Sequence, residues 1–279
     1  GDALALKSLK LGAPGAAASG SLNANLRTTT ATGKIALNVS SFADALRPLG
    51  IEASGKAKGD IVLKTAKKGG QTVDLTVDIK QFAGFGVELA EARLTAKGGL
   101  DGKAPIAARL SAKGFAASDI SAETLTIRLD GPLRAADLKL TMKGRAAERP
   151  LTLNIAGVLA IQEASQSFRL AKGDGAFAGA AFAIARGLEV SQGKKGFAVR
   201  GLDLQSGPLS LRADASVASG RIDLDLKQAD VDLRRLAQLM PDTPVAGTIF
   251  ASGRISGPLQ GPSGRLTLTA RGISALNEP

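Results

Sequence analysis

The chain has 279 residues, with 36 lysines and arginines against 25 acidic residues, so its formal net charge is +11. It contains no Cys, His, Trp or Tyr, which excludes disulfide frameworks, zinc fingers and histidine-based catalysis. With 44% hydrophobic and 22% charged residues, it has the composition of a folded chain. The excess of positive charge favours an anionic neighbour such as lipid headgroups, lipopolysaccharide or nucleic acid.

The ends of the chain carry no targeting signal. The first residues lack the basic start and apolar run of a signal peptide. No stretch approaches the ~18–20 uninterrupted apolar residues of a membrane helix. We therefore expect this chain to be an internal piece of a longer protein.

The first predicted helix covers Ser41–Pro48. Ser41 is a suitable N-cap and Asp44 follows three residues later, which makes a partial capping box. The helix is expected to stop at Pro48. The strand Ile51–Ile61 follows, with small residues and spaced glycines.

The rest of the chain shows mainly alternation of apolar and polar residues, which predicts strand after strand. Turn signals separate the segments, including Lys68-Gly69-Gly70, Asp101-Gly102 and Gly131-Pro132. We count about 18–20 strands of ordinary length. Strict alternation is typical of antiparallel sheets with one wet face. The clearest apolar positions are Val73, Leu75, Val77, Ile79, Ile106, Leu110, Leu125, Ile127, Leu129, Leu138, Leu140, Met142, Leu151, Leu153, Ile155, Leu209, Leu211, Ile222, Leu224, Leu226, Leu266 and Leu268.

A second short helix is predicted over Asp232–Pro241, with Leu233, Leu236, Leu239 and Met240 on one face. It is again followed by a strand of small residues with spaced glycines, Val245–Ile255. This repetition of helix, proline and glycine-spaced strand predicts an array of repeated units, with boundaries near 40–60 and 229–256. Both helices are too short to be stable alone and must dock on the sheet.

Aromatic residues are scarce, since Phe is the only one and occurs nine times. A sheet of about 20 strands is expected to curl, fold over or split. Curling turns apolar faces toward each other and leaves an interior trough that small aliphatic residues do not fill. A completely packed aliphatic core is the competing interpretation.

The segment after the second helix carries a more specific pattern of spaced glycines, a Gly-Pro-Leu turn, a second proline and an alternating leucine strand. It reads Val245-Ala246-Gly247, then Ala251-Ser252-Gly253-Arg254-Ile255-Ser256-Gly257-Pro258-Leu259, then Pro262, then Arg265-Leu266-Thr267-Leu268-Thr269-Ala270-Arg271-Gly272. In this it resembles a unit of the TamB/AsmA-like family of Gram-negative cell envelopes. The short leucine helix before it resembles the family too, and the remaining strands are compatible with it.

The resemblance implies a long β-groove, or β-taco, in the periplasm, held by one N-terminal helix in the inner membrane of the parent protein. Family members are associated with phospholipid movement between inner and outer membrane. TamB-type members are also linked to outer-membrane protein assembly and secretion with a barrel partner. On this basis we expect an all-β, mostly antiparallel curled sheet with two short helices. Its apolar positions would conduct acyl chains, and we expect no catalytic residue, metal or cofactor. The parent protein would contact the membrane through segments outside this chain.

Other functions are weaker matches. Ser191–Lys194 fits a Ser-x-x-Lys motif but is predicted to lie in a turn. Gly173–Gly179 lacks dinucleotide or P-loop spacing and is predicted to be a bulged strand or hairpin. Asp223 and Asp225 could suit Ca²⁺, but beside Arg221 and Lys227 they are better explained as a solvated face.

Nucleic-acid binding is disfavoured because basic residues are mixed with acids and stacking aromatics are scarce. The main rival is a structural or adhesive β-repeat protein with a fully packed core. The two classes differ in interior volume, because a filled sandwich has no room for a ligand.

Overall fold

The computed structural model describes residues 2–66, 70–99, 104–194, 196–239 and 245–275, apart from the side chains of 238 and 239. Over these ranges the chain is all-β, with eighteen antiparallel strands and two short helices. The predicted fold class, strand number and helices are confirmed. The predicted turns at Lys68-Gly69 and Asp101-Gly102, and the predicted helix end at Met240-Pro241, lie outside the described residues.

The chain divides into two compact units, Gly1–Glu148 and Arg149–Pro279. In the first unit each strand pairs antiparallel with the one before it. Its elements are β1 (Ala3–Ala13), β2 (Ala16–Asn25), β3 (Thr30–Val39), α1 (Phe42–Leu46), a 3₁₀ turn (Arg47–Leu49), β4 (Ala53–Thr65), β5 (Gln71–Gly84), β6 (Val87–Gly99), β7 (Ile106–Ala117), β8 (Ile120–Gly131) and β9 (Ala136–Ala146).

The second unit also has nine strands and one helix. Its elements are β10 (Arg149–Gln162), β11 (Ser165–Phe177), β12 (Ala180–Ile184), β13 (Glu189–Gly193), β14 (Gly196–Ser206), β15 (Leu209–Ala218), β16 (Arg221–Asp232), α2 (Leu233–Leu239), β17 (Val245–Pro258) and β18 (Ser263–Ala275).

The strand registers keep apolar residues in phase, so the alternation along each strand becomes a two-faced sheet. In the first unit one row of direct cross-strand partners runs across β5 to β9 without a polar interruption. Side chains of such partners lie within contact distance, and each aliphatic pair stabilises the ladder. The row consists of Val77, Leu94, Leu110, Ile127 and Leu140.

The second unit contains an interrupted strand that the sequence reasoning missed. β12 pairs with one half of β11 and β13 with the other, and both pair with β14, so they lie end to end. At the interruption the Leu170 N–H donates to the Leu188 carbonyl over 2.8 Å. Leu170 and Leu188 are the two buried leucines among the residues described, and they anchor the break.

Both helices are capped by the residues before them. The Ser41 hydroxyl accepts a hydrogen bond of 3.2 Å from the Asp44 N–H, which confirms the predicted cap. Pro48 does not end α1 directly; it lies in the 3₁₀ turn that follows, where its fixed φ is tolerated. Asp232 caps α2 by accepting from the Arg235 N–H at 3.1 Å. Each helix lies against the strand that follows it, β4 or β17.

Candidate functional site

The apolar residues predicted from the alternation lie at every second position of their strands, and almost all of them are half-buried. The exceptions are Leu266 and Leu268 on β18, which are 55% and 61% exposed. In β9 Leu138, Leu140 and Met142 are half-buried, while Lys139 and Thr141 between them are exposed. We call the face that carries the apolar residues of β4–β9 the apolar face of the first unit.

This apolar face is not covered by a second layer of side chains. In the described part of the first unit every buried apolar residue is an alanine, and no leucine, isoleucine, valine or phenylalanine is buried. In a two-layer sandwich the large aliphatic side chains would be the buried ones. The alanines are Ala53, Ala57, Ala92, Ala112, Ala122 and Ala136.

The accessible surface of the chain is large for its mass. The chain exposes 17615 Å², whereas a compact protein of 28.3 kDa exposes about 11,200 Å². Apolar patches larger than a few hundred Å² are uncommon on soluble monomers and mark interaction sites.

Small residues lie among large ones across the apolar face. One row of cross-strand partners consists of Ala57, Ile79, Ala92, Ala112 and Leu125. All three alanines are buried, and the adjacent Ala92 and Ala112 lie between Ile79 and Leu125, which are half-buried. Because strands are ~4.8 Å apart, such a five-strand row spans roughly 19 Å. The result is a ribbed aliphatic surface with no hydrogen-bonding groups of its own.

Helix α1 covers one end of this face. The ring of Phe42 meets the ring of Phe82 edge to face, with centroids 5.5 Å apart. Phe82 is a cross-strand partner of Leu89, and Leu89 of Phe115, so the contact continues the apolar face. The helix therefore packs against β4 and, through Phe42, against Phe82 of β5.

The second unit has aliphatic rows of the same kind. Leu224 on β16 pairs with Ala215 on β15 and with Ile255 on β17. Every residue of β18 is exposed, so this strand leaves Leu266 and Leu268 open to solvent. Helix α2 contributes Leu233 and Leu236, both half-buried. Leu239 and Met240, predicted on the same helix face, lie outside the described side chains.

The polar face of the second unit is a network of ion pairs. Arg254 donates two hydrogen bonds to Asp223, at 3.0 and 2.7 Å, and these lower the pKa of that carboxyl and raise that of Arg254. Lys227, 2.5 Å away, lowers the pKa of Asp214, helped by the Gly201 N–H. With Asp223 engaged by an arginine, the solvated-face interpretation holds over a Ca²⁺ site. No cluster of metal-ligating residues occurs in the described ranges.

The other sequence motifs take structural positions. Ser191 lies on β13, opposite Ser167 and Ala198, so the prediction that it lies in a turn is wrong; only Lys194 does. Gly173–Gly179 forms the end of β11 and its turn, with Ala178 and Gly179 at positive φ, which confirms the predicted hairpin.

A cleft of about 900 Å³ crosses β4–β8 and was not found from the sequence. Its charged and hydroxyl side chains alternate along the strands with Ala57, Ala92 and Ala112. They therefore point away from the apolar face, on the opposite side of the same sheet. We call this the basic cleft. Only the strand register shows it, because its lysines come from separate strands.

No protein-family model, curated protein or solved structure matches the chain. The resemblance to the TamB/AsmA-like family stays a prediction. Among the described residues no helix has the length and apolar character needed to cross a membrane.

Proposed function

We propose that this chain is a non-enzymatic segment of a lipid-transfer protein whose uncovered apolar face carries phospholipid acyl chains. The observation that carries the proposal is the absence of any buried large aliphatic side chain in the described part of the first unit. A self-packed structural repeat would bury those side chains, so this observation favours the lipid-carrying function over its rival.

An apolar face of this kind lowers the free-energy cost of moving a lipid through water without catalysing a reaction. Moving an acyl chain through water costs about 0.8 kcal/mol per exposed CH₂. Rows of Leu, Ile, Val and Ala five strands wide offset that cost. Because the contacts are aliphatic and repeat at each strand, neighbouring positions bind with similar free energy. An acyl chain then moves from one position to the next, because no single position binds it much more tightly than its neighbours.

The biological setting rests on the resemblance of Val245–Gly272 to TamB/AsmA-like units. We propose a periplasmic location within a longer protein anchored in the inner membrane of a Gram-negative bacterium. The cargo would move between inner and outer membrane. The link to outer-membrane protein assembly and secretion, through a barrel partner, is part of the same proposal.

Titration of the whole chain with a fluorescent phospholipid tests the function. We expect saturable binding that unlabelled phospholipid displaces. Glycerophosphocholine, which has a headgroup but no acyl chains, serves as the matched competitor and is expected to displace nothing. A folded chain that takes up no lipid, or loses it equally to glycerophosphocholine, would rule the proposal out.

A further inference from the structure

The basic cleft lies between two parallel rows of polar side chains. Its floor is the backbone of β4–β8 at the positions where Ala57, Ala92 and Ala112 point to the other face. The rows are two residues apart along each strand, or about 7 Å. The first row consists of successive cross-strand partners, Lys56, Lys80, Glu91, Lys113 and Thr124.

The second row is built the same way from Lys58, Asp78, Arg93 and Ser111. Arg109 joins it from β7, where its Nε donates to the Ser111 hydroxyl at 3.2 Å. The cleft thus has six basic side chains against two acidic ones. Hydroxyl groups supply further donors.

Part of this positive charge has an acidic neighbour, because Glu91 is the direct cross-strand partner of Lys80 and of Lys113, and Asp78 is that of Lys58; four positive charges remain in excess. Asp78 lies 3.5 Å from Arg93, and this is the one ion pair made within the cleft by the residues described. Lys56, Lys58 and Lys80 make no ion pair with any described residue, and neither does Lys113.

Two of these lysines also oppose each other. Lys56 is the direct cross-strand partner of Lys80 in the β4–β5 ladder. Side chains in that relation start about 5 Å apart, and like charges there destabilise the ladder. An anion between the two ammonium groups would replace repulsion by two charge-assisted hydrogen bonds.

From this arrangement we infer that the basic cleft binds a ligand with two or more phosphate groups. Phosphate oxygens accept from ammonium, guanidinium and hydroxyl donors alike. A second phosphate about 7 Å from the first reaches the other row. The site is separate from the acyl-chain face, because the two lie on opposite sides of the same strands.

The test measures binding of tripolyphosphate to the whole chain by calorimetry at low salt. The double variant Lys56→Gln/Lys80→Gln is expected to bind about tenfold or more weakly, as loss of about 1.4 kcal/mol would give. The matched control is Lys10→Gln/Lys139→Gln, which removes two exposed lysines outside the cleft. Circular dichroism confirms that both variants fold.

A second arm distinguishes a soluble ligand from a lipid headgroup. Vesicles containing cardiolipin, whose headgroup carries two phosphates, are compared with vesicles of phosphatidylcholine in a flotation assay. Tripolyphosphate binding that depends on the cleft lysines identifies a soluble ligand; cleft-dependent binding to cardiolipin alone identifies a headgroup. Equal losses in the two double variants, or no binding in either arm, would overturn the inference. Neither result bears on acyl-chain binding, which involves the other face.

Discussion

Ile127 and Leu140 face each other across β8 and β9 within an uninterrupted aliphatic row of the first unit. We expect a single aspartate at either position, Ile127→Asp or Leu140→Asp, to disrupt acyl-chain binding. The carboxylate interrupts the aliphatic row and keeps water at the place where an acyl chain would lie. Loss of this one aliphatic pair costs the ladder about 0.2–1 kcal/mol, and the backbone hydrogen bonds that pair β8 with β9 remain.

The size of the effect follows from the transfer of charge to an apolar site. Exchanging an aliphatic residue for Asp costs about 3 kcal/mol at full desolvation, as in a membrane centre. That corresponds to roughly 100-fold in affinity. Ile127 and Leu140 are half-buried, so part of the carboxylate's hydration survives. We therefore expect fluorescent phospholipid to bind about 10- to 100-fold more weakly.

The chain offers a matched control one residue away. Thr126 and Thr141 are also direct cross-strand partners, on the opposite face of the same two strands. Thr126→Asp and Thr141→Asp add the same charge at the same place in the sheet, and we expect lipid affinity within about twofold of the parent. Thermal unfolding of all four variants separates loss of binding from loss of fold.

Two outcomes would refute the reasoning. In one, folded Ile127→Asp and Leu140→Asp bind phospholipid as well as the parent chain does. In the other, the threonine controls lose as much affinity as they do, which would assign the effect to charge and not to the apolar face.

Three further measurements concern stability. Leu170→Ala removes a side chain that is 3% exposed and is expected to cost about 2–5 kcal/mol of unfolding free energy. Leu266→Ala, at an exposed position, should cost under about 1 kcal/mol. Similar costs for the two variants would contradict the assignment of Leu170 to a buried site. Because the folded-state pKa values of Asp214 and Asp223 are lowered, their stabilisation is present above about pH 3.9 and is lost as pH falls through the folded values; a melting temperature that stays constant from pH 5 to 2 would disprove this. Ser41→Ala removes the α1 cap and should cost about 1 kcal/mol, measured by denaturant unfolding, whereas no change would mean the cap is dispensable.

The sequence predicted the two-faced strands well because alternation is a local property. Leu138, Leu140 and Met142 alternate with polar residues regardless of what pairs with β9, and these three are half-buried while the polar residues between them are exposed, as expected. The predicted cap at Ser41 is equally local, since it acts on a backbone N–H three residues later; the Asp232 cap has the same spacing but was not predicted.

The features that could not be predicted from the sequence depend on which strands lie next to each other. Leu268 alternates as regularly as Leu224, yet Leu268 is exposed. Among the described residues β16 is flanked by ladders with β15 and β17, whereas the ladder described for β18 is the one with β17. The opposition of Lys56 and Lys80 exists only once the β4–β5 register is set. Burial of Leu170 likewise requires the interruption between β12 and β13, which no local sequence pattern indicated.

Native mass spectrometry with lipid extraction, on the chain purified without harsh detergent, tests the central claim most directly. We expect bound phospholipid that is retained by folded Thr141→Asp and lost from folded Leu140→Asp. A chain that is free of lipid and also refuses added fluorescent phospholipid would contradict the account and favour a structural β-repeat.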